Sequence, residues 1–255
     1  MQCVILAGGK GIRFSEETTR IPKPLISIGN KPIIWHIMKL YSFYGINDFI
    51  ICSGYKSDLV KEYFANYLLH SSDVYIDVKK NTIKYSKNKK DKWKIHIVDS
   101  GLNTMTGGRV KRISHLLQDE FCLTYGDGVS DINIKNSIAF HKKNNKIVTM
   151  SIVKQPGRFG IVKLENNIVK SFVEKPYGDS GWINGGFFIM KKKIIDFIKN
   201  DESILEKEPF EILSKKEQIA AYKHENFWYA MDSLRDQIYL ENLYNSKNAP
   251  WKVWE

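Results

Sequence analysis

Cys3-Val4-Ile5-Leu6-Ala7-Gly8-Gly9-Lys10-Gly11-Ile12-Arg13-Phe14 decides how the rest of the chain is read. Five apolar residues run uninterrupted and give way to glycine, the pattern of a strand buried on both faces that opens into a tight loop. Glycines at 8, 9 and 11 leave the backbone bare, so several amide N–H groups can converge on phosphate oxygens. A dinucleotide fingerprint starting at Gly9 fails, because Phe14 stands where a small residue is needed and Arg13 precedes it. A P-loop fails as well, since no Gly-Lys-Ser/Thr follows. A plain turn would need neither Arg13 nor Lys23, which Pro22 and Pro24 stiffen in an extended segment near the glycines. The stretch is read as a phosphate-binding loop.

Outward from it, the chain alternates strands and helices. Lys31 to Tyr44 carries Ile33, Ile34, Ile37, Met38 and Tyr41 at helical spacing, with Gly45 at its C-terminal end. A second helix is expected over about 58–69, with Val60, Phe64 and Leu68 on one face and Ser57 as N-cap. Phe49–Cys52, Ile95–Val98 and Phe121–Thr124 read as further buried strands. This alternation implies βαβ units and a mostly parallel, doubly wound sheet. After about residue 145 come strands joined by short turns, at Val148–Val153, Gly160–Leu164, Ile168–Val173 and Trp182–Met190, and then helices at about 192–199, 206–216 and 233–246. No linker or repeat divides the chain. We expect one α/β domain over 1–255, a Rossmann-like core in 1–145 and a mixed half in 146–255 that caps the site.

The 255 residues carry a formal charge of +11 and are 43% apolar and 26% charged, a globular composition that excludes disorder. Residues 79–94 hold eight lysines and one acid, Asp91, so one segment supplies most of the excess. It lacks any nucleic-acid motif and reads as a solvated hairpin tip, with no nucleic-acid partner. Cys3, Cys52 and Cys122 lie far apart in sequence, each inside an expected core strand, and so act as small hydrophobes. That usage suits a reducing cytoplasm. No apolar run approaches the ~20 residues of a membrane span, and the N-terminus lacks signal-peptide features. The six histidines never pair at three- or four-residue spacing, which disfavours a histidine metal site.

Other segments carry chemistry. Tyr125-Gly126-Asp127-Gly128 follows a strand, where ligands of open α/β sheets bind. A carboxylate there either holds magnesium beside phosphates or is an ordinary turn residue. Asp232, in Ala230-Met231-Asp232-Ser233, is equally a ligand or the N-cap of the helix that follows. Phe172-Val173-Glu174-Lys175-Pro176 puts a lysine at a strand end, and Gly181-Trp182-Ile183-Asn184-Gly185-Gly186 offers an amide and small residues suited to a polyhydroxylated ligand.

In this order, Gly-Gly-x-Gly-x-Arg, Pro-Lys-Pro, Gly-Asp-Gly, Glu-Lys-Pro and Asn-Gly-Gly resemble the sugar-1-phosphate nucleotidyltransferases. Longer stretches, among them Trp35–Lys39, Tyr44–Ile51, Lys61–Tyr67, Thr104–Arg109, Pro156–Gly160, Gly181–Phe188 and Ala249–Trp254, are similar to the branch that uses CTP and glucose 1-phosphate. The resemblance spans the chain. It implies a mostly parallel mixed central sheet with helices on both faces and a smaller β-rich sugar-binding half. It implies transfer of CMP to the sugar phosphate with release of pyrophosphate, Mg2+ as cofactor, and a role in polysaccharide biosynthesis. Residue by residue, Leu6, Ala7, Gly8, Gly9, Lys10, Gly11, Ile12, Arg13, Lys23, Thr104, Arg109, Gly126 and Asp127 would hold the nucleotide. Arg13, Lys23 and Asp127 would be catalytic, Asp127 and Asp232 would bind the metal, and Glu174, Lys175, Asn184 and Gly185 would meet the sugar phosphate. The family loop usually reads Gly-Thr-Arg-Leu; Ile12 here cannot donate the hydroxyl hydrogen bond. The alternatives are another base or phosphorylated acceptor and, remotely, a non-catalytic nucleotide- or RNA-binding protein. The family forms homo-oligomers, a trimer or hexamer being expected here, and Trp251 and Trp254 predict a subunit contact, since chain ends fray unless docked.

Overall fold

The structure is a computed structural model that describes residues 1–11, 20–86, 91–156, 161–165, 168–173 and 177–254. In the first half the strands are β1 (Cys3–Leu6), β2 (Ser27–Ile28), β3 (Lys31–Pro32), β4 (Asp48–Ser53), β5 (Val74–Asp77), β6 (Thr82–Tyr85), β7 (Lys94–Asp99), β8 (Glu120–Tyr125) and β9 (Gly128–Ser130). The second half adds β10 (Val148–Pro156), β11 (Ile161–Glu165), β12 (Ile168–Val173), β13 (Tyr177–Lys191), β14 (Ile219–His224) and β15 (Trp228–Ala230). Seven of them form one sheet in the order β14-β10-β13-β8-β1-β4-β7. Its neighbours run parallel except at β13, which is antiparallel to both β10 and β8. The expected mostly parallel mixed sheet is what forms.

Successive side chains of a strand point to opposite faces, and the uninterrupted apolar runs fill both. Cys3, Ile5, Phe49, Ile51, Cys122, Phe187 and Ile189 pack on one side, under helices Ile33–Phe43 and Leu234–Asn245. Val4, Leu6, Ile50, Cys52, Phe121, Leu123, Phe188 and Met190 pack on the other, under helices Thr106–Arg112 and Glu208–Lys215. All three cysteines are buried and free. Separation in sequence hid one relation: Cys3 and Cys122 are register partners on neighbouring strands. Burial pushes the thiols of Cys52 and Cys122 up to about 12, so both stay protonated and unreactive.

Several local expectations are corrected. Ser57 does not cap its helix: Lys56 stands at the cap with φ +50°, and the Ser57 hydroxyl meets that of Ser53 at 2.7 Å. The helix expected over 58–69 breaks at Asn66 into Ser57–Ala65 and Tyr67–Ser71. The lysine-rich segment is hairpin only in part. β5 and β6 pair antiparallel, but Trp93 packs against Phe49 and Asp91 binds Lys39 at 2.8 Å. The C-terminal tryptophans, expected at a subunit contact, fold onto their own chain. Trp251 is 1% and Trp254 8% exposed, in a cluster with Trp35, His36, Tyr244 and Phe227. Their indoles cover the end of the Ile33–Phe43 helix, which would otherwise expose apolar surface.

β13 runs between two partners for only part of its length. Phe187 to Lys191 pair with β8 on one side, while β10 follows the strand from Met190 down to Tyr177, with register shifts on the way. Above Phe187 the sheet therefore forks, and the gap opens at the carboxyl end of β8.

Candidate active site

Ligands of open α/β sheets settle where neighbouring strands lead their chains to opposite sides. Here that point lies between β1 and β8: β4 and β7 extend the sheet on one side, β13, β10 and β14 on the other. A cavity of about 470 Å³ opens there. Leu6, Ala7, Gly8, Gly9, Lys10, Gly11, Lys23, Thr104, Arg109, Gly126, Asp127 and Asp232 all line it. The structure thus gathers into one cleft every described residue that the motifs assign to the nucleotide and the metal. Ile12, Arg13, Glu174 and Lys175 lie outside the described residues. Pro24, Met105, Thr106 and Tyr125 also line the cavity. None of them carries a ligand assignment from the motifs, and their sequence signal is adjacency to motif residues.

The glycines of the loop have different reasons. A Cβ on Gly8 would sit 2.0 Å from an Arg109 guanidinium nitrogen, and one on Gly54 2.6 Å from it. Both positions make room for a buried arginine rather than for a ligand. A Cβ on Gly9 would meet nothing within 4 Å, so that residue faces open space. Gly11 takes φ +61°, the left-handed region that disfavours side chains.

Arg109 was expected to touch nucleotide. It is 5% exposed, and its guanidinium donates to the Gly8 carbonyl at 3.0 Å, the Ser53 carbonyl at 3.1 Å and Ser100 Oγ at 2.7 Å. It lines the cavity while fastening the loop to β4 and to the end of β7. Burial lowers its affinity for the proton, though a guanidinium remains charged.

Lys23 sits at the start of a short 3-10 turn, Lys23–Leu25, so the Pro-Lys-Pro segment is extended only at Pro22. Its ammonium lies 2.8 Å from Asp127 Oδ2 and 2.8 Å from Asp232 Oδ1, with a side chain 13% exposed. Burial alone would depress it, but the two carboxylates outweigh that and hold it above the ordinary lysine value. Asp127 occupies the turn between β8 and β9, and its carbonyl accepts the Met231 N–H at 2.9 Å, tying it to the segment that bears Asp232. Asp232 is not the helix cap. Ser233 caps, accepting from Asp236 N, and the Asp236 carboxylate receives the Asp232 N–H at 3.0 Å and the Ser233 hydroxyl at 2.8 Å. The cap fixes the residue before it and leaves the Asp232 carboxylate pointing into the cleft.

Two carboxylates facing one cleft suit a divalent cation of the magnesium type, which takes one or two protein carboxylates and completes its shell with water and phosphate oxygens. No group of three or more His, Cys, Asp or Glu arranged for a metal exists among the described residues.

A second cavity of about 200 Å³ adjoins the first and shares Tyr125, Asp127 and Asp232 with it. Asn184 and Gly185, the described residues assigned to the sugar phosphate, line it with Gly186 and Trp228. Asn184 Oδ1 accepts the Gly186 N–H at 2.9 Å, and Trp228 Nε1 donates to the Gly185 carbonyl at 2.6 Å. No motif pointed to Trp228.

A glycine-lined loop at a strand crossover, two carboxylates around a lysine and an adjoining polar pocket suit two phosphorylated ligands held side by side. A family model described as nucleotidyl transferase matches residues 2–236, and the chain belongs to that family. Over its whole length it is 49% identical to the glucose-1-phosphate cytidylyltransferase of Salmonella typhi, the alignment covering both chains completely. It is 39% identical, again over both full lengths, to the probable glucose-1-phosphate cytidylyltransferase of Bacillus subtilis (strain 168). Among solved structures it is similar to a UDP-glucose pyrophosphorylase complexed with UDP-glucose, with a TM-score of 0.69 and 20% identity over 96% of this chain and 98% of that one. HddC from Yersinia pseudotuberculosis gives a TM-score of 0.67 and 24% identity over 95% and 99% of the two chains. These structures share its fold.

Proposed function

We propose that this protein transfers CMP from CTP to α-D-glucose 1-phosphate, giving CDP-glucose and pyrophosphate. The observation that carries the reading is the Lys23–Asp127–Asp232 cluster at the junction of two cavities, in a chain 49% identical over its full length to a glucose-1-phosphate cytidylyltransferase. The larger cavity takes the nucleotide and the smaller the sugar phosphate, so the two anions meet beside Asp127 and Asp232.

The chemistry needs charge control more than a protein nucleophile. Two unit charges about 4 Å apart repel by roughly 4 kcal/mol at an effective dielectric near 20. A sugar phosphate is already ionised at neutral pH, and its oxygen attacks the α-phosphorus in line as pyrophosphate leaves, with positioning and neutralisation as the enzyme's task. The loop through Gly11 offers its amides to phosphate oxygens, and Lys23 exchanges carboxylate partners for phosphate. Arg13 adds a second cation and Lys175 and Glu174 contact the sugar phosphate, as the family resemblance implies. Asp127 and Asp232 would hold Mg2+, which supplies positive charge against the triphosphate and orients it. The same resemblance supports a cytoplasmic homo-oligomer, a trimer or hexamer, without a nucleic-acid or membrane partner; among the described residues no helix is long and apolar enough to cross a membrane.

Pyrophosphate release with four nucleoside triphosphates crossed against a panel of sugar 1-phosphates tests the reading. CTP with glucose 1-phosphate should exceed every other pair. A larger rate with another base or acceptor would replace this assignment, and no release with any pair would leave a binding protein. Light scattering of the purified protein reads the assembly.

A further inference from the structure

Tyr125 is the one aromatic residue, among those described, that lines both cavities. Its ring is fixed on two sides. A Cβ on Gly186 would lie 2.6 Å from Tyr125 Cδ2, and Phe188 meets the ring edge-on at 5.9 Å. The tip is held by Glu206, whose Oε1 accepts the Tyr125 hydroxyl. Glu206 Oε2 accepts from Thr106 Oγ1 at 2.6 Å, and that hydroxyl in turn accepts the Leu205 N–H at 2.9 Å. On the sugar side, Asn184 lines the smaller cavity beside Tyr125. Glu206 itself lines neither cavity. Thr106, Glu206 and Tyr125 therefore form one polar chain from the nucleotide wall to the partition between the cavities.

We propose that Glu206 is a positioning residue for acceptor binding: it fixes Tyr125 as the partition between the cavities and so as the wall that closes the sugar side. The inference rests on the assignment of the smaller cavity to the sugar phosphate. Without the carboxylate, the half-buried phenol loses the acceptor for its proton and turns to find another. The open directions are the two cavities. The nucleotide loop is fastened separately, through Arg109 and Gly8, and Thr106 still accepts the Leu205 N–H, so the effect falls mainly on the acceptor.

The test compares steady-state constants of the full-length wild type, Glu206→Ala, Tyr125→Phe, the double variant and Glu206→Gln. Tyr125→Phe keeps the ring and its packing, which guards against a mere folding failure in Glu206→Ala. Each single change should raise KM for glucose 1-phosphate about tenfold, with far less change in KM for CTP and in the melting temperature. The double variant should be no worse than either single one, because both remove the same bond. Glu206→Gln should recover most of the loss, its amide oxygen accepting the phenol proton. Equal rises in both KM values, additive single effects or unchanged constants would each overturn the proposal. A wild type that makes no CDP-glucose counts against the functional reading instead, and the KM split is then read on the pair it does use.

Discussion

Lys23 shows how one side chain can be read correctly for the wrong geometry. Its place between prolines signals a cation meant for phosphates, and the structure puts that cation in the cleft. Its two carboxylate partners come from residues 127 and 232, a distance no local pattern can bridge. Asp127→Asn and Asp232→Asn should each lower turnover by about two orders of magnitude or more, as loss of a focused charge does at such sites. Circular dichroism should show the fold retained, because Ser233 and not Asp232 caps the helix. If turnover survives in either variant, the metal assignment fails. His36 gives a second expectation. It is fully buried; Nε2 donates to the Ile28 carbonyl at 2.9 Å, and Nδ1 accepts from Trp251 Nε1 at 3.4 Å. A proton on Nδ1 would oppose that indole N–H, and burial, the largest cause, lowers the ring from 6.5 to about 4. The folded value lies below the unfolded one, so the unfolded chain binds more protons in that window. Stability is fully present above pH ~6.5 and falls by about 3 kcal/mol as the pH drops towards 4. Imidazole resonances should show His36 neutral down to about pH 5, and urea melts of His36→Gln should show a shallower acid slope.

Among the elements, the Thr106–Arg112 helix divides a family-like stretch between two tasks. Within Thr104–Arg109 only Thr104 and Arg109 are assigned to the nucleotide. Thr104 and Arg109 do line the cavity, but Gly107 and Gly108 exist for the segment behind them. Met105, Gly107 and Gly108 give their N–H groups to the carbonyls of Asp201 and Ser203. A Cβ on Gly108 would lie 2.5 Å from the Asp201 backbone. Gly108→Ala must push that backbone away, a clash that costs about 1–3 kcal/mol, measurable as a lower urea midpoint. An unchanged midpoint would mean the segment moves freely. The short strands β9 and β15 were not legible as strands, and of the hairpin of β5 and β6 only the lysine-rich tip was. Three or four residues carry no usable period, and β6 is exposed throughout. The long apolar runs of β1, β4 and β8 were legible because burial on both faces leaves only apolar choices.

For the whole molecule, the C-terminal tryptophans are the main revision. Two large rings near a chain end, in a family of homo-oligomers, predict a subunit contact, and composition cannot separate that from a flap closing the core. In the structure they belong to the same apolar cluster as Ile33, Ile37 and Leu240. Trp251→Ala should therefore lower stability by about 3–5 kcal/mol while the mass by light scattering stays that of the wild type. A fall in mass at unchanged monomer stability would return the ring to an interface. The mostly parallel sheet, by contrast, followed from the alternation of strands and helices, whereas its strand order and the edge strand β14 did not.

The forked strand β13 has a dynamic consequence. Amides from Phe188 to Met190 lie between two strands, whereas Tyr177 to Asn184 are held from the β10 side. In hydrogen–deuterium exchange the first group should open only with global unfolding and the second through local fraying. Asn184 to Gly186 stand at the boundary, like a hinge pin set where the rigid part ends. Binding of glucose 1-phosphate should slow exchange in a peptide covering 181–186 and leave one covering 187–191 unchanged, so a single strand reports occupancy at one end and integrity of the fold at the other.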